Sequence, residues 1–281
     1  MVRKFIYLLC FILFKIVCGQ DKIFVYDYQY KIDSLNRNRI DQETMFLDIS
    51  ETRSVYFSLQ KYTDDSLNSD ELKKSNAKIP VISMKSKIQD VIIKDYITKN
   101  TEIYTTLNGD YYKIQPNRKI DWKIQSDTKN IFGYKSQKAT ANFGGREWVA
   151  WFASEIPIQD GPYVFSGLPG LIVEVADSKN DHQLKLISIR KRSIVPSNDF
   201  NEGSINVTTE KFNQLWNKYK KDPIIKIRQV ILNSDGKFTM YNAQGEEMDR
   251  NEILKFKEKV ELDKIKHNNN FIDLILYKAS K

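Results

Sequence analysis

Cysteine is nearly absent from this chain. Cys10 and Cys18 are its only two in 281 residues, and both fall in an N-terminal stretch built like a secretory signal. Arg3 and Lys4 make a positive start, Phe5 to Phe14 is an unbroken apolar run, and Val17-Cys18-Gly19 sets a small residue before a cleavage point. The run is too short for a membrane-spanning helix, which takes about 20 apolar residues, and Lys15 interrupts it. Residues 1–19 are therefore expected to leave by cleavage between Gly19 and Gln20, and both cysteines leave with them. The mature chain then has no disulfide in a compartment that permits one. Thiol catalysis, thiol redox chemistry and cysteine-zinc sites drop out together.

Histidine is equally scarce. His182 closes the polar turn that starts at Asp177, and His267 sits in Lys266-His267-Asn268-Asn269-Asn270; neither has a metal-ligand spacing. Both read as exposed turn histidines, and no metal is expected. A phosphate loop is missing too, since Gly144-Gly145 lacks the following lysine-serine pair and helix. The net charge of +8 is spread along the chain, and its one tight cluster, Arg190-Lys191-Arg192, is too short for a nucleic-acid surface. Serine catalysis has no elbow of its own, because Phe165-Ser166-Gly167 lacks the preceding glycine. No cofactor motif and no catalytic residue can be assigned.

What the chain does have is β pattern and turn chemistry. Lys22 to Tyr30, Met45 to Ile49, Ser54 to Leu59, Ile79 to Met84 and Val91 to Tyr96 read as strands, with a loop or marginal helix over Asp64 to Lys78. Asn108-Gly109 predicts a tight hairpin within Glu102 to Ile114, setting Thr106 opposite Tyr111 and Thr105 opposite Tyr112. After Asp121 to Gln125 and Ile131 to Phe143, Gly144-Gly145 closes a second hairpin, with Ala141 against Trp148 and Ala139 against Ala150. The phase change between Leu186 and Ile187 predicts a bulge in the strand Leu184 to Arg190. Beyond about residue 197 helices enter. Thr208 caps one over Thr209 to Lys221, whose Phe212, Leu215, Trp216 and Tyr219 form one stripe, and Asp249 to Lys266 reads as a charged helix. Ile224 to Tyr241 is expected as a hairpin about Asp235-Gly236, and Phe271 to Tyr277 as a last strand. Residues 20–281 form a single α+β domain, mainly antiparallel β: a curved sheet or open half-barrel with a few packed helices.

The densest information lies at Gly167-Leu168-Pro169-Gly170-Leu171-Ile172, a stiff corner running into an apolar strand. Around it Trp148, Trp151, Phe152, Phe165 and Leu168 make an aromatic-rich cluster, either a filled core or the lining of a ligand-binding face. Glu174 is a lone acid within that strand and requires a partner if buried, for which Arg146 is the candidate in an ion pair. A carboxylate pair could be drawn from Glu155, Asp160, Glu174 and Asp177, but spacing alone brings no two together.

These stretches carry a resemblance. Gly133-Tyr134, Lys138-Ala139-Thr140, Phe143-Gly144-Gly145-Arg146, Ala150-Trp151-Phe152, Glu155-Ile156-Pro157-Ile158, Gly161-Pro162 and the hexapeptide itself resemble the GLPGLI family. The match is specific from Ile131 to Asp177, looser from Lys22 to Ile194, and weak beyond Pro196. That family comprises secreted or envelope proteins of Gram-negative bacteria without an assigned activity, so the resemblance implies compartment rather than chemistry. Ser136 stands where many relatives carry cysteine, which sets a thiol-dependent role aside. The strand pattern is also similar to the open half-barrels of periplasmic lipoprotein carriers and sensors. The leading expectation is a non-catalytic extracytoplasmic envelope protein binding an apolar or amphipathic ligand. The alternatives are an accessory module that docks an envelope protein partner of an outer-membrane transport or secretion system, and a carboxylate-dependent hydrolase.

Overall fold

In the computed structural model, residues 22–74, 85–192, 203–233, 239–241 and 244–278 are described. The signal-like N-terminus, the strand expected at Ile79 to Met84, the boundary near 197 and the Asp235-Gly236 turn lie outside them. Among the described residues the fold is one open, curved, mainly antiparallel sheet with four helices. Two meanders build it. The first runs through β1 (Lys22–Tyr30), β2 (Asp41–Ile49), β3 (Arg53–Ser58), β4 (Val91–Asp95), β5 (Thr101–Leu107) and β6 (Asp110–Ile114). The second comprises β7 (Lys123–Ile131), β8 (Tyr134–Phe143), β9 (Arg146–Ala153), β10 (Leu171–Asp177) and β11 (His182–Lys191). A short β12 (Ile205–Val207) adds to β6 in parallel, and β1 pairs with β11 to join the meanders into the order 12-6-5-4-3-2-1-11-10-9-8-7.

The connection between the meanders dictates the curvature. In a flat sheet β6 and β7 would stand ten strand spacings apart, or about 48 Å. The chain from Ile114 to Lys123 reaches at most about 32 Å. Only a curled sheet brings these strands within reach.

Local signals place the register. Thr106 faces Tyr111 and Thr105 faces Tyr112 across Asn108-Gly109, whose φ values of 51° and 80° are those of a type I′ turn. Ala141 faces Trp148 and Ala139 faces Ala150. The bulge expected in β11 is present: Val25 pairs with Ser188 and Tyr26 with Leu186, which leaves Ile187 as the extra residue.

Helix α1 (Leu59–Lys74) begins earlier than the polar composition suggested, because the Ser58 hydroxyl accepts from the Lys61 amide and caps it. Helix α2 (Thr209–Lys221) is capped by Thr208, as its sequence predicts, and α4 (Arg250–His267) carries a full capping box from Asp249 and Glu252. Two expectations fail. Ile225–Asn233 is a helix, α3, rather than a hairpin strand; Ile224 and Ile231, seven residues apart, are both buried on one side of it. Phe271 to Tyr277 forms turns, because the Asp273 carboxylate takes the Ile275 and Leu276 amides that a ladder would have used.

The sheet buries both faces. Its inner face carries the main core, from Phe24, Tyr26, Met45 and Leu47 across to Trp148, Phe152 and the corner, with α2 and residues 271–277 packed against it. Its outer face carries a smaller cluster, including Val25, Phe46, Val55 and Phe57, covered by Leu59 and Tyr62 of α1.

Candidate functional site

The glycine-rich corner is inserted into the inner face. Its backbone is tied down by Gly167 N to Gln159 O at 3.1 Å, Leu171 N to Ile156 O at 3.1 Å and Ile172 N to Asp160 O at 2.9 Å. Gly170 has no room for a side chain, since a Cβ there would stand 2.3 Å from the Ala153 carbonyl oxygen. The corner drives Phe165 into the core. Its ring centroid lies 4.6 Å from that of Trp148, 6.0 Å from Phe143 and 6.1 Å from Tyr163.

The five residues singled out from the sequence therefore divide. Trp148, Phe152, Phe165 and Leu168 are all buried and pack with one another in the core. Alternation along β9 turns Trp151 away from Trp148 and Phe152, and the Lys129 ammonium lies 4.4 Å from its ring centroid. They do not form a single surface.

An open cavity of about 1160 Å³ lies beside them, at the end of the half-barrel where β1 starts and the β2–β3 and β4–β5 turns lie. Ile49, Ile120, Phe143, Ile156, Ile158 and Val164 give it apolar walls, and Lys22, Glu51, Lys99 and Lys119 stand among its polar lining. Ser166 and Gly167 of the corner line it too.

A buried ionic network braces this wall. Lys94 pairs with Asp160 and donates to the Gly161 carbonyl at 2.5 Å. The Tyr96 hydroxyl donates to Asp160 Oδ2 at 2.5 Å, and the Gly161 amide donates to Oδ1 at 2.6 Å. Burial pushes the Lys94 pKa below the usual lysine range, against the pull of Asp160. Burial, then the Asp160 charge, raises the Tyr96 hydroxyl. Both Asp160 oxygens are engaged, so the network fastens β4 to the corner and leaves no free base.

The opposite end is closed by residues 268–278. Arg146 donates to Phe271 O at 3.0 and 2.7 Å, to Asn270 Oδ1 at 2.6 Å and to Asp177 Oδ2 at 3.1 Å. Its expected partner Glu174 pairs instead with Lys129 at 2.8 Å. The reason is a bulge in β10. Ile172 faces Phe152, but Glu174 faces Trp151, which moves the acid to the outer side of the sheet.

His182 is buried as well, contrary to the exposed turn expected for it, with Nδ1 2.7 Å from the Tyr28 hydroxyl. Burial first, and the Arg146 charge second, push its pKa down to about 4. Nearby Asp90 accepts from Thr105 Oγ1 at 2.6 Å, and burial raises its carboxyl to about 6. His267 does sit partly in solvent, 2.7 Å from Asp33.

Of the four candidate acids, Glu155 and Asp160 reach the cavity, Asp177 is consumed by Arg146 and two backbone amides, and Glu174 faces outward. Among the described residues no group of three or more His, Cys, Asp or Glu is arranged to hold a metal, and no helix is long and apolar enough to cross a membrane. Sequence reasoning passed over Lys94, Asp90 and Arg118. A lysine inside Val91-Ile92-Ile93-Lys94-Asp95 was a readable signal for the first. Nothing local marks the other two.

Comparison with known proteins adds little chemistry. A family model described as "Protein of unknown function (Porph_ging)" matches residues 145–174, which span β9 and the corner. No curated protein matches the chain. The solved structure of PNGF-II in the P21 space group is similar in fold, with a TM-score of 0.50 at 14% identity over 70% of this chain. PNGF-II in the C2 space group gives a TM-score of 0.47 at 15% identity over 68% of this chain. This chain spans about a third of the P21 structure's own chain (33%).

Proposed function

We propose that the protein is a non-catalytic extracytoplasmic envelope protein that holds an amphipathic small molecule in the cavity at the open end of its half-barrel. The cavity carries this reading. Small-molecule pockets are concave, largely apolar spaces of about 300–1,000 Å³ with a few polar groups. This one, at about 1160 Å³, pairs isoleucine and phenylalanine walls with a charged rim. The signal-like N-terminus supports the compartment. The engaged state of Asp160 and Asp177 speaks for binding over acid-base chemistry.

The test is binding of the neutral fluorescent probe N-phenylnaphthylamine to the purified mature protein, with lipid extraction of the same sample. Ile156→Arg, which puts a charge on the apolar wall, should abolish probe binding with the melting temperature retained. Ile187→Ser, on the exposed bulge, should leave binding intact. A wild-type protein that takes up no probe and carries no lipid would overturn the proposal, as would full binding by Ile156→Arg.

A further inference from the structure

Resting on the cavity reading above, we infer that the ligand is an amphiphile with an anionic head, such as a single-chain carboxylate or phosphate, taken up as a monomer. The observation is an imbalance in which charges are already spent. Among the acids lining the cavity, Asp160 is held by Lys94, Tyr96 and the Gly161 amide. Asp95 accepts from the amides of Ile97 and Thr98 at 2.9 and 2.7 Å, and Glu155 accepts from the Lys135 amide at 3.2 Å. Among its cations, Lys94 is spent on Asp160, and Arg118 is spent on Asp273 while stacking on Phe143. Lys22, Lys99 and Lys119 remain, and among the described residues none of the three has an ion pair. Asp95 and Glu155 meet backbone amides and no ion-pair partner, and Glu51 is the single acid of the lining that, like these three lysines, has neither a side-chain hydrogen bond nor an ion pair among the described residues.

The topology puts these side chains on one rim. Lys22 opens β1 and is cross-strand from Ile49, at the end of β2; Glu51 lies in the β2–β3 turn, Lys99 in the β4–β5 turn, and Lys119 just beyond β6. These segments follow one another around one end of the sheet. Below that rim lie Ile49, Ile120, Ile156 and Ile158. An acyl chain would enter the apolar depth with its anionic head left among exposed ammonium groups. Such a contact is electrostatic, exposed and screened by salt.

The experiment displaces N-phenylnaphthylamine with three amphiphiles of equal chain length, each below its micelle concentration: myristate, its neutral monoacylglycerol, and tetradecyltrimethylammonium. Myristate should bind tightest, lose affinity as salt is raised, and lose about tenfold in the double variant Lys99→Gln/Lys119→Gln. The neutral ester should be unaffected by that variant, and Glu51→Gln should tighten myristate binding. Equal binding of all three, or preference for the neutral or cationic head, would sink the anionic head and leave the cavity reading standing. No displacement by any of them, with no probe uptake, would remove both. Co-sedimentation with phosphatidylglycerol vesicles, without displacement of probe by monomeric myristate, would assign the lysines to surface adsorption and overturn the inference.

Discussion

Two glycines of the corner and one just before it separate two physical causes that are usually mixed, and substituting each by alanine tests the account of the fold. Gly167 has φ +91°, with nothing within 4 Å of a built Cβ. Its replacement meets backbone strain alone, about 1–2 kcal/mol. Gly161 shows the reverse. It needs no left-handed conformation, but its Cβ would stand 2.7 Å from Ile172 Cβ and 3.0 Å from the Phe165 carbonyl oxygen. Overpacking of this kind costs about 1–3 kcal/mol. Gly170 combines both, with φ +154° and a Cβ 2.3 Å from Ala153 O and 2.8 Å from Ser154 Cα. Its near neighbours are all backbone, so no rotamer change relieves them. Gly170→Ala should therefore cost about 3–5 kcal/mol.

Urea and thermal unfolding followed by tryptophan fluorescence give the comparison, because Trp148 packs on Phe165 and reports the corner directly. In a domain of this size about 1 kcal/mol moves the melting temperature by about 2–4 °C. Gly170→Ala should then melt about 6–20 °C below wild type, and Gly167→Ala about 2–8 °C below it. If Gly167→Ala costs as much as Gly170→Ala, the close approach to β9 is not what demands glycine in the hexapeptide. The explanation of the motif given above would then be wrong.

Other consequences concern charge. Arg146→Ala should lose about 3–5 kcal/mol, since it strands Asp177 in the core; Glu174→Gln, at a surface pair, should lose less than about 1 kcal/mol; equal losses would refute the assignment. Asp90, raised to about 6, binds a proton in the folded state that the unfolded chain has released, so its contribution to stability falls as pH rises from about 4 to 6. Asp90→Asn should flatten that slope in urea melts and stabilise the neutral protein, and a destabilised neutral variant would contradict it. His182, lowered to about 4, acts with the opposite sign: stability is lost as pH falls from about 6.5 toward 4. Its imidazole should stay neutral at about pH 5.5 in an NMR titration, and an ordinary midpoint near 6.5 would refute its burial.

Legibility in the sequence followed the range of each interaction. Asn108-Gly109, the cap Thr208 and the phase slip at Ile187 all act within a few residues, and each was readable in the sequence. The pairing of Lys22 with Lys191, which joins the meanders, is non-local and left no local mark. Residues 224–233 and 271–277 were misread because short apolar runs suit either period, and only tertiary partners decide between them. The partner of Arg146 depended on one bulge. Without the shift at Val173, Glu174 would face Ala150 on the inner side. Trp148, Phe152, Phe165 and Leu168 lie in the main core. The cavity beside it was missed because its walls come from segments far apart in the chain.

The two ends of the half-barrel are finished in different ways, and that contrast argues for where the protein acts. At the closed end, Leu274 N bonds Gly144 O at 2.8 Å, and a Cβ on Gly144 or Gly145 would press on Asp273 or Leu274 at 3.0 and 3.3 Å. Phe271 and Tyr277 stack there at 3.8 Å beneath Trp216 of α2. Polar groups at that end are turned on one another: Arg146 with Asp177 and the chain at 270–271. An end whose charges are consumed internally has little left for a charged ligand. At the open end the corner is self-supporting through Lys94 and Asp160, so the space beside it need not be filled for the sheet to hold its shape. Within the half-barrel, among the described residues, apolar wall and uncommitted charge coincide at this end, which is where the proposed ligand would sit.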